Sequence, residues 1–229
     1  MEIAGNPIDI EAYLGVTKDE IYTRIGYSPD VEPSARVASI VDEYITTAKQ
    51  LIEPSYAYNI IDIKSVDPPR ISVNSSIAFQ SSVISHVLTR CTSVAVFALT
   101  IGGGLEEMAA RLGEKELILE AFVLDIIGST MTEKAADFVQ GIIGEMANIR
   151  GMAISKRYSP GYCDWDIKQQ ELVFQALEGN NPGIKLSEDC LMTPEKSVSG
   201  IIGIGPSERG IATFNPCRTC AKKTCLWRR

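Results

Sequence analysis

Val94-Ala95-Val96-Phe97-Ala98-Leu99-Thr100, closed by Gly102-Gly103-Gly104, is an unbroken apolar run that ends in a tight turn. A run of this kind predicts a buried strand, and a helix beginning near Leu105 follows it. Val198 to Ile204 predicts another strand in the second half of the chain. Upstream, Val37, Ile40, Val41, Tyr44, Ile45, Ala48, Leu51 and Ile52 recur at helical spacing within residues 33–53, with Ser34 as N-cap. Ala57 to Val66 and Arg70 to Asn74 read as two short strands separated by Pro68-Pro69, and Ser82 to Arg90 reads as a helix containing His86. Asp166 to Leu177 predicts a short helix and Gly179 to Gly183 a loop. Strands and helices do not alternate regularly, which excludes a doubly wound sheet. The fold class is α+β, a mainly antiparallel sheet with packed helices.

From Glu114 to about Asn148 the pattern is helical, and its centre, AFVLDIIGSTMTEKAADFVQGII, is apolar nearly all round. Asp125, Glu133, Lys134 and Asp137 fall inside it, which argues against a membrane span and for a central buried helix. Glu133 and Asp137 are one turn apart on one face, so at least one carboxylate is expected near the interior.

The 229 residues carry 22 Lys+Arg and 29 Asp+Glu, for a formal charge of -7, and are 45% hydrophobic. The single histidine, His86, excludes a two-His zinc site and any Ser/His/Asp triad that does not use it. Six cysteines are too few for a disulfide scaffold in a chain of this length, and MEIAGNPIDI has neither the basic head nor the apolar run of a secretory signal. The expectation is a soluble cytoplasmic protein that binds neither nucleic acid nor membrane. Residues 208–229 hold six basic side chains and one acid, a charge of +5, against -12 for the remainder, so they read as an appended tail.

Three segments are candidates for chemistry. Gly102 to Gly104 before a helix could cradle a phosphate, yet the spacing is not G-x-G-x-x-G and no G-K-[ST] follows, so a close-packed turn is the competing reading. Lys156-Arg157-Tyr158-Ser159-Pro160-Gly161-Tyr162-Cys163-Asp164-Trp165 presents backbone polar groups on a rigid turn beside aromatic rings, with an arginine fork that can grip a carboxylate. In the tail, Cys217, Cys220 and Cys225 form C-x2-C-x4-C, three thiolates for a metal or cluster, with Cys163 or Cys190 as candidate fourth ligand. An iron-sulfur cluster, zinc, a redox-active dithiol and a metal-free basic docking tail all fit that spacing. Cys91 sits in an apolar context and reads as a core thiol.

Together, R-x-S-P-G-Y (Arg157 to Tyr162) and G-I-K-L-S-E-x-x-x-M-x-P-x-x-S-V-S-G (Gly183 to Gly200) resemble the activation domain of cobalamin-dependent methionine synthase. The resemblance extends upstream through Gly128-Ser129 to Asp137 and TIGGGLEE, covering roughly residues 80–205. It implies a C-shaped α+β domain that binds S-adenosylmethionine in a shallow groove and docks on a corrinoid module so that inactive cob(II)alamin is reduced and remethylated. It also implies roles by position. Arg157 holds the methionine carboxylate, Ser159 and Gly161 contact the ligand through backbone, Glu133 meets the amino group or its shell, and Tyr162 lines the groove. The domains are then 1–75 as an N-terminal helical and strand extension, 76–207 as the ligand-binding core and 208–229 as the tail. The corrinoid motif D-x-H-x-x-G is absent, so cobalamin belongs to a partner methyltransferase, and the electron to a donor such as a flavodoxin or ferredoxin. The family places a tyrosine where this chain has Gly210-Ile211, and residues 1–75 show no clear match to its opening aspartate motif. A non-enzymatic redox or docking protein that kept the fold and lost the ligand is the alternative.

Overall fold

The computed structural model describes residues 7–213 and 215. At its centre β5 (Ser93–Thr100) pairs antiparallel with β9 (Ser197–Pro206), in a register running from Ser93 opposite Ile204 to Thr100 opposite Ser197. β1 (Ser55–Asp62) flanks β5 and β6 (Met152–Tyr158) flanks β9, giving a four-stranded antiparallel sheet in the order β1-β5-β9-β6. The apolar run of β5 has a simple cause. Ala95, Phe97 and Leu99 enter one core and Val94, Val96 and Ala98 the other, so both faces of the strand are buried.

The first core lies under helices. α6 (Ile118–Ile149) is 32 residues long, about 48 Å at 1.5 Å per residue, and lays Val123, Leu124, Ile127, Met131, Ala135, Val139 and Ile143 along the sheet. α3 (Ala35–Leu51) and α5 (Gly104–Glu114) pack beside it, and Ser34 caps α3 by accepting the Val37 amide at 3.4 Å. α1 (Pro7–Tyr13) and α2 (Lys18–Arg24) close the N-terminal side, α2 opening on a capping box made by Thr17 and Glu20. The second core lies under α4 (Ser82–Leu88), α7 (Gln170–Ala176) and a small sheet of β2 (Ser65–Asp67), β3 (Arg70–Ser72) and β4 (Ala78–Gln80). A last two-stranded piece joins β7 (Lys185–Leu186) to β8 (Met192–Thr193). Among the described residues no helix is long and apolar enough to cross a membrane.

One strand expectation changes. The single strand expected over 57–66 is two: β1 ends at Asp62, and the Ile63 and Lys64 amides donate to Thr92 and Ser72 carbonyls, which carries the chain into the small sheet. The Gly102–Gly104 turn is close-packed. A Cβ on Gly104 would collide with the Leu51 carbonyl oxygen, and the first turn of α5 carries Glu106 and Glu107, with Glu106 accepting the Glu195 amide at 2.6 Å. Carboxylates already sit where a phosphate would approach. The boundary placed at 75/76 crosses one sheet, since β1 is paired with β5 along its whole length.

The two sequence motifs are locked together by sterics and by one buried amide. β6 crosses β9 so closely at Gly200 that a Cβ there would strike the Tyr158 carbonyl oxygen. Gln170 is 3% exposed; its Nε2 donates to the Cys190 carbonyl at 3.0 Å and its Oε1 accepts from Ser199 Oγ at 3.2 Å. The loop after β6 is anchored at its far end. Trp165 is 1% exposed and packs edge-on against Phe79, with centroids 5.6 Å apart, and Asp164 accepts from Ser81 Oγ at 2.5 Å and from the Ser82 and Val83 amides. Burial alone would raise the Asp164 carboxyl, but these hydrogen bonds outweigh it and hold it below its ordinary value.

Gly200→Ala is therefore expected to cost about 1–3 kcal/mol of stability, because neither backbone can retreat; urea denaturation measures it, and an unchanged midpoint contradicts the close approach. Because the Asp164 pKa is depressed, its contribution is present above the ordinary carboxyl value and lost as pH falls through the lower folded one. In a Trp227→Phe background, Trp165 fluorescence should thus hold steady through the ordinary carboxyl range and change only at more acidic pH. Asp164→Asn should remove that acid transition.

Candidate functional site

β6 and β9 do not pair evenly. Ile154 lies opposite Ile204 and Arg157 opposite Ile202, so three steps along β6 answer two along β9. Ser155 stabilises this bulge: its Oγ accepts the Gly203 amide at 2.8 Å and donates to the Lys156 carbonyl at 2.7 Å. In a regular strand, residues three apart point to opposite faces. The extra residue puts Ile154 and Arg157 on the same face, toward α6.

There Arg157 meets a line of acceptors at successive turns of α6. Its Nη1 donates to Asp137 Oδ1 at 2.6 Å and Gln140 Oε1 at 3.3 Å, and its Nη2 to Glu133 Oε2 at 3.3 Å. The guanidinium side chain is 20% exposed, whereas those of Glu133 and Asp137 are 55% and 58% exposed. The expectation that one of the two acids lies near the interior is thereby overturned. The buried stripe of α6 runs through Met131, Ala135 and Val139, and the two acids project from the other side, where Arg157 supplies their counter-charge.

The strand leads directly into the turn singled out in the sequence. Gly161 has φ +92°, a left-handed conformation that suits glycine, and its amide donates to the Trp165 carbonyl at 2.7 Å. The Tyr162 amide donates to the Ser159 carbonyl at 3.3 Å. Trp165 is thus buried inward while Tyr162 stands 57% exposed beside the Arg157 end of the strand. Since the Gly161 amide is committed within the turn, a ligand would meet this residue at its carbonyl.

A cleft of about 480 Å³ adjoins the same acids. α6 contributes Thr130, Glu133, Lys134 and Asp137, and α2 with its cap faces them through Thr17, Asp19, Glu20 and Thr23. Lys134 Nζ reaches Glu20 Oε1 at 2.9 Å across it. The Thr17 amide and Lys134 together hold the Glu20 carboxyl below its ordinary value. Sequence reasoning left α2 unassigned. Its T-K-D-E capping box, Thr17 to Glu20, was the signal that could have found it. Further along α6, Lys196 Nζ, from the second motif, binds Asp125 at 2.6 Å and Ser129 at 2.9 Å.

The metal candidates fare differently. Cys217, Cys220 and Cys225 lie outside the described residues, and among the described residues no cluster of three or more His, Cys, Asp or Glu is arranged to hold a metal. Cys163 is exposed, with φ +56°. Cys190 is 1% exposed, and burial followed by the Glu171 charge raises its thiol pKa, an environment that disfavours a thiolate ligand. Cys91 is a core thiol, pushed up to about 12 by burial. Gly210 has φ +64° and lies beside Arg90 and Thr213 past the far end of β9, and Ile211 is 1% exposed in the second core.

Comparison with known proteins bears on the fold and the family. A crystal structure of the MetH reactivation domain bound to AdoHcy superposes with a TM-score of 0.63 at 13% sequence identity, over 89% of this chain and 77% of that one, a likeness of fold. No curated protein matches the sequence. Residues 77–214 match the family described as vitamin B12 dependent methionine synthase, activation domain, which places both motifs, Glu133 and Arg157 within the matched span. The chain belongs to the family of vitamin B12 dependent methionine synthase activation domains.

Proposed function

We propose that this protein binds S-adenosylmethionine and holds it for reductive reactivation of the corrinoid carried by a partner cobalamin-dependent methyltransferase. The observation that carries the reading is the convergence of Arg157 and Glu133, 24 residues apart in sequence, within 3.3 Å and at the head of the Ser159–Tyr162 turn. An amino-acid zwitterion needs a guanidinium for its carboxylate and a carboxylate for its ammonium, and this pair offers both. Ser159 and Gly161 would add backbone carbonyls and Tyr162 a ring face near the sulfonium. AdoHcy, found in the related reactivation domain, is what S-adenosylmethionine becomes once its methyl group is given up.

The chemistry asks little acid or base catalysis of the chain. A partner's corrinoid, reduced by one electron from a flavodoxin- or ferredoxin-type donor, would supply the electron pair that takes the methyl group, the S–CH3 bond breaking with its own pair left on sulfur. What this chain contributes is position, holding the sulfonium methyl toward the partner. With His86 as sole histidine and no D-x-H-x-x-G, cobalamin binding is assigned to the partner.

A second reading is favoured by the engagement of Arg157 with two carboxylates and by Gly210-Ile211 at the family's tyrosine position. Under it the ligand is lost and the C-x2-C-x4-C tail, holding an iron-sulfur cluster or zinc, makes this a redox or docking protein.

Calorimetric titration with S-adenosylmethionine separates the two. Binding should be measurable, and Arg157→Ala should weaken it about 10- to 100-fold, the worth of hydrogen bonds to a charged group. Arg157→Lys should recover only part, because the fork is gone. No binding, or equal binding by Arg157→Ala, overturns the first reading. For the tail, protein expressed and purified anaerobically should contain iron and sulfide, or zinc, if Cys217, Cys220 and Cys225 hold a metal, and lose it on Cys217→Ala with Cys220→Ala. Metal-free, colourless protein rules that site out.

A further inference from the structure

The closer acidic partner of Arg157 is not Glu133, which the family resemblance singles out, but Asp137: 2.6 Å against 3.3 Å. A guanidinium takes up a carboxylate through two parallel N–H···O bonds, and Nη1 of this fork is already donating to Asp137 and Gln140. An incoming carboxylate that takes the end of the fork, through Nη1 and Nη2, therefore displaces Asp137. Once it does, three carboxylates crowd one guanidinium, an arrangement that is unfavourable unless a second positive charge arrives with the ligand. An α-ammonium supplies that charge, with three donors for the acids to share. Asp137 is well placed to make the exchange, since its side chain is 58% exposed and it stands one helical turn from Glu133. Gln140, neutral, can stay on Arg157 throughout.

We infer, resting on the ligand reading above, that Asp137 is a specificity residue. It occupies Arg157 while the site is empty, then turns with Glu133 to the α-ammonium. The site thereby selects ligands bearing a complete amino-acid zwitterion and rejects those with the carboxylate alone. The discrimination comes from repulsion as much as attraction, because a carboxylate-only ligand must evict Asp137 and gains nothing in return.

The test compares two probes, AdoHcy and its desamino analogue, which keeps the carboxylate and lacks the ammonium, by calorimetry on the full chain. Wild type should prefer AdoHcy strongly. Asp137→Asn removes the competitor and one negative charge, so the desamino analogue should bind about five- to tenfold more tightly; AdoHcy gains less, because it also loses an ammonium partner, and the ratio of the two affinities should fall. Glu145→Gln makes the same charge change on α6 about 12 Å further along the axis and should leave the ratio unaltered. Circular dichroism confirms that each variant is folded. AdoHcy binding to wild type with an unchanged ratio in Asp137→Asn overturns the inference and leaves the proposed function standing. An equal fall in Glu145→Gln also overturns it, by showing a general charge effect. Failure of wild type to bind either probe overturns the proposed function and this inference together.

Discussion

The antiparallel pair of β5 and β9, covered on both faces, is the constraint from which the other placements follow. Its register leaves no exposed face for chemistry, so polar function is pushed to the strand ends and to the neighbouring strands. α6 answers one face along nearly its whole length, and that long contact fixes which of its residues face outward. β6, the edge strand beside β9, is where the burial requirement relaxes, and its Arg157 can carry a charge into contact with α6 because one side is still open. The loop after β6 is in turn held at Trp165 by Phe79 and at Asp164 by the cap of α4, so the turn bearing Ser159, Gly161 and Tyr162 is tied down at both ends.

The site is electrostatically lean. One guanidinium faces two carboxylates that are more than half exposed, and ion pairs so placed contribute roughly 0–1 kcal/mol each to stability. A pair worth so little to the fold can be opened at little expense, which is what a binding site requires. Lys134 with Glu20 and Lys196 with Asp125 repeat the pattern on either side, so the outward surface of α6 between Asp125 and Asp137 carries a row of opposed charges.

Much of this was legible. The buried strands, the long helix and the α3 cap follow from composition and periodicity at Val94–Thr100, Val198–Ile204, residues 114–148 and Ser34, since burial and capping leave direct signatures. The ion pair of Glu133 with Arg157 was not legible, because nothing local couples residues that far apart; the motif resemblance implied only that both meet one ligand. Three features were not read correctly. The break between β1 and β2 depends on the Ile63 and Lys64 amides finding partners in different sheets, which is a tertiary matter. In a helix as uniformly apolar as α6, the outward face is weakly marked, so the exposure of Glu133 and Asp137 was misjudged. α2, with only seven residues, is too short for periodicity, and its capping box was its sole clear mark.

The bulge at Ser155 makes the arginine's availability a matter of counting. Straighten the ladder between Ile154 and Arg157 with every residue kept, and every motif residue survives, the charge does not alter, and a residue-by-residue tally against relatives still scores well. Yet parity along the strand reverses, the guanidinium turns into the second core, and Tyr158 turns out of it. What defines this site is thus partly a number, odd or even, that no single amino acid carries.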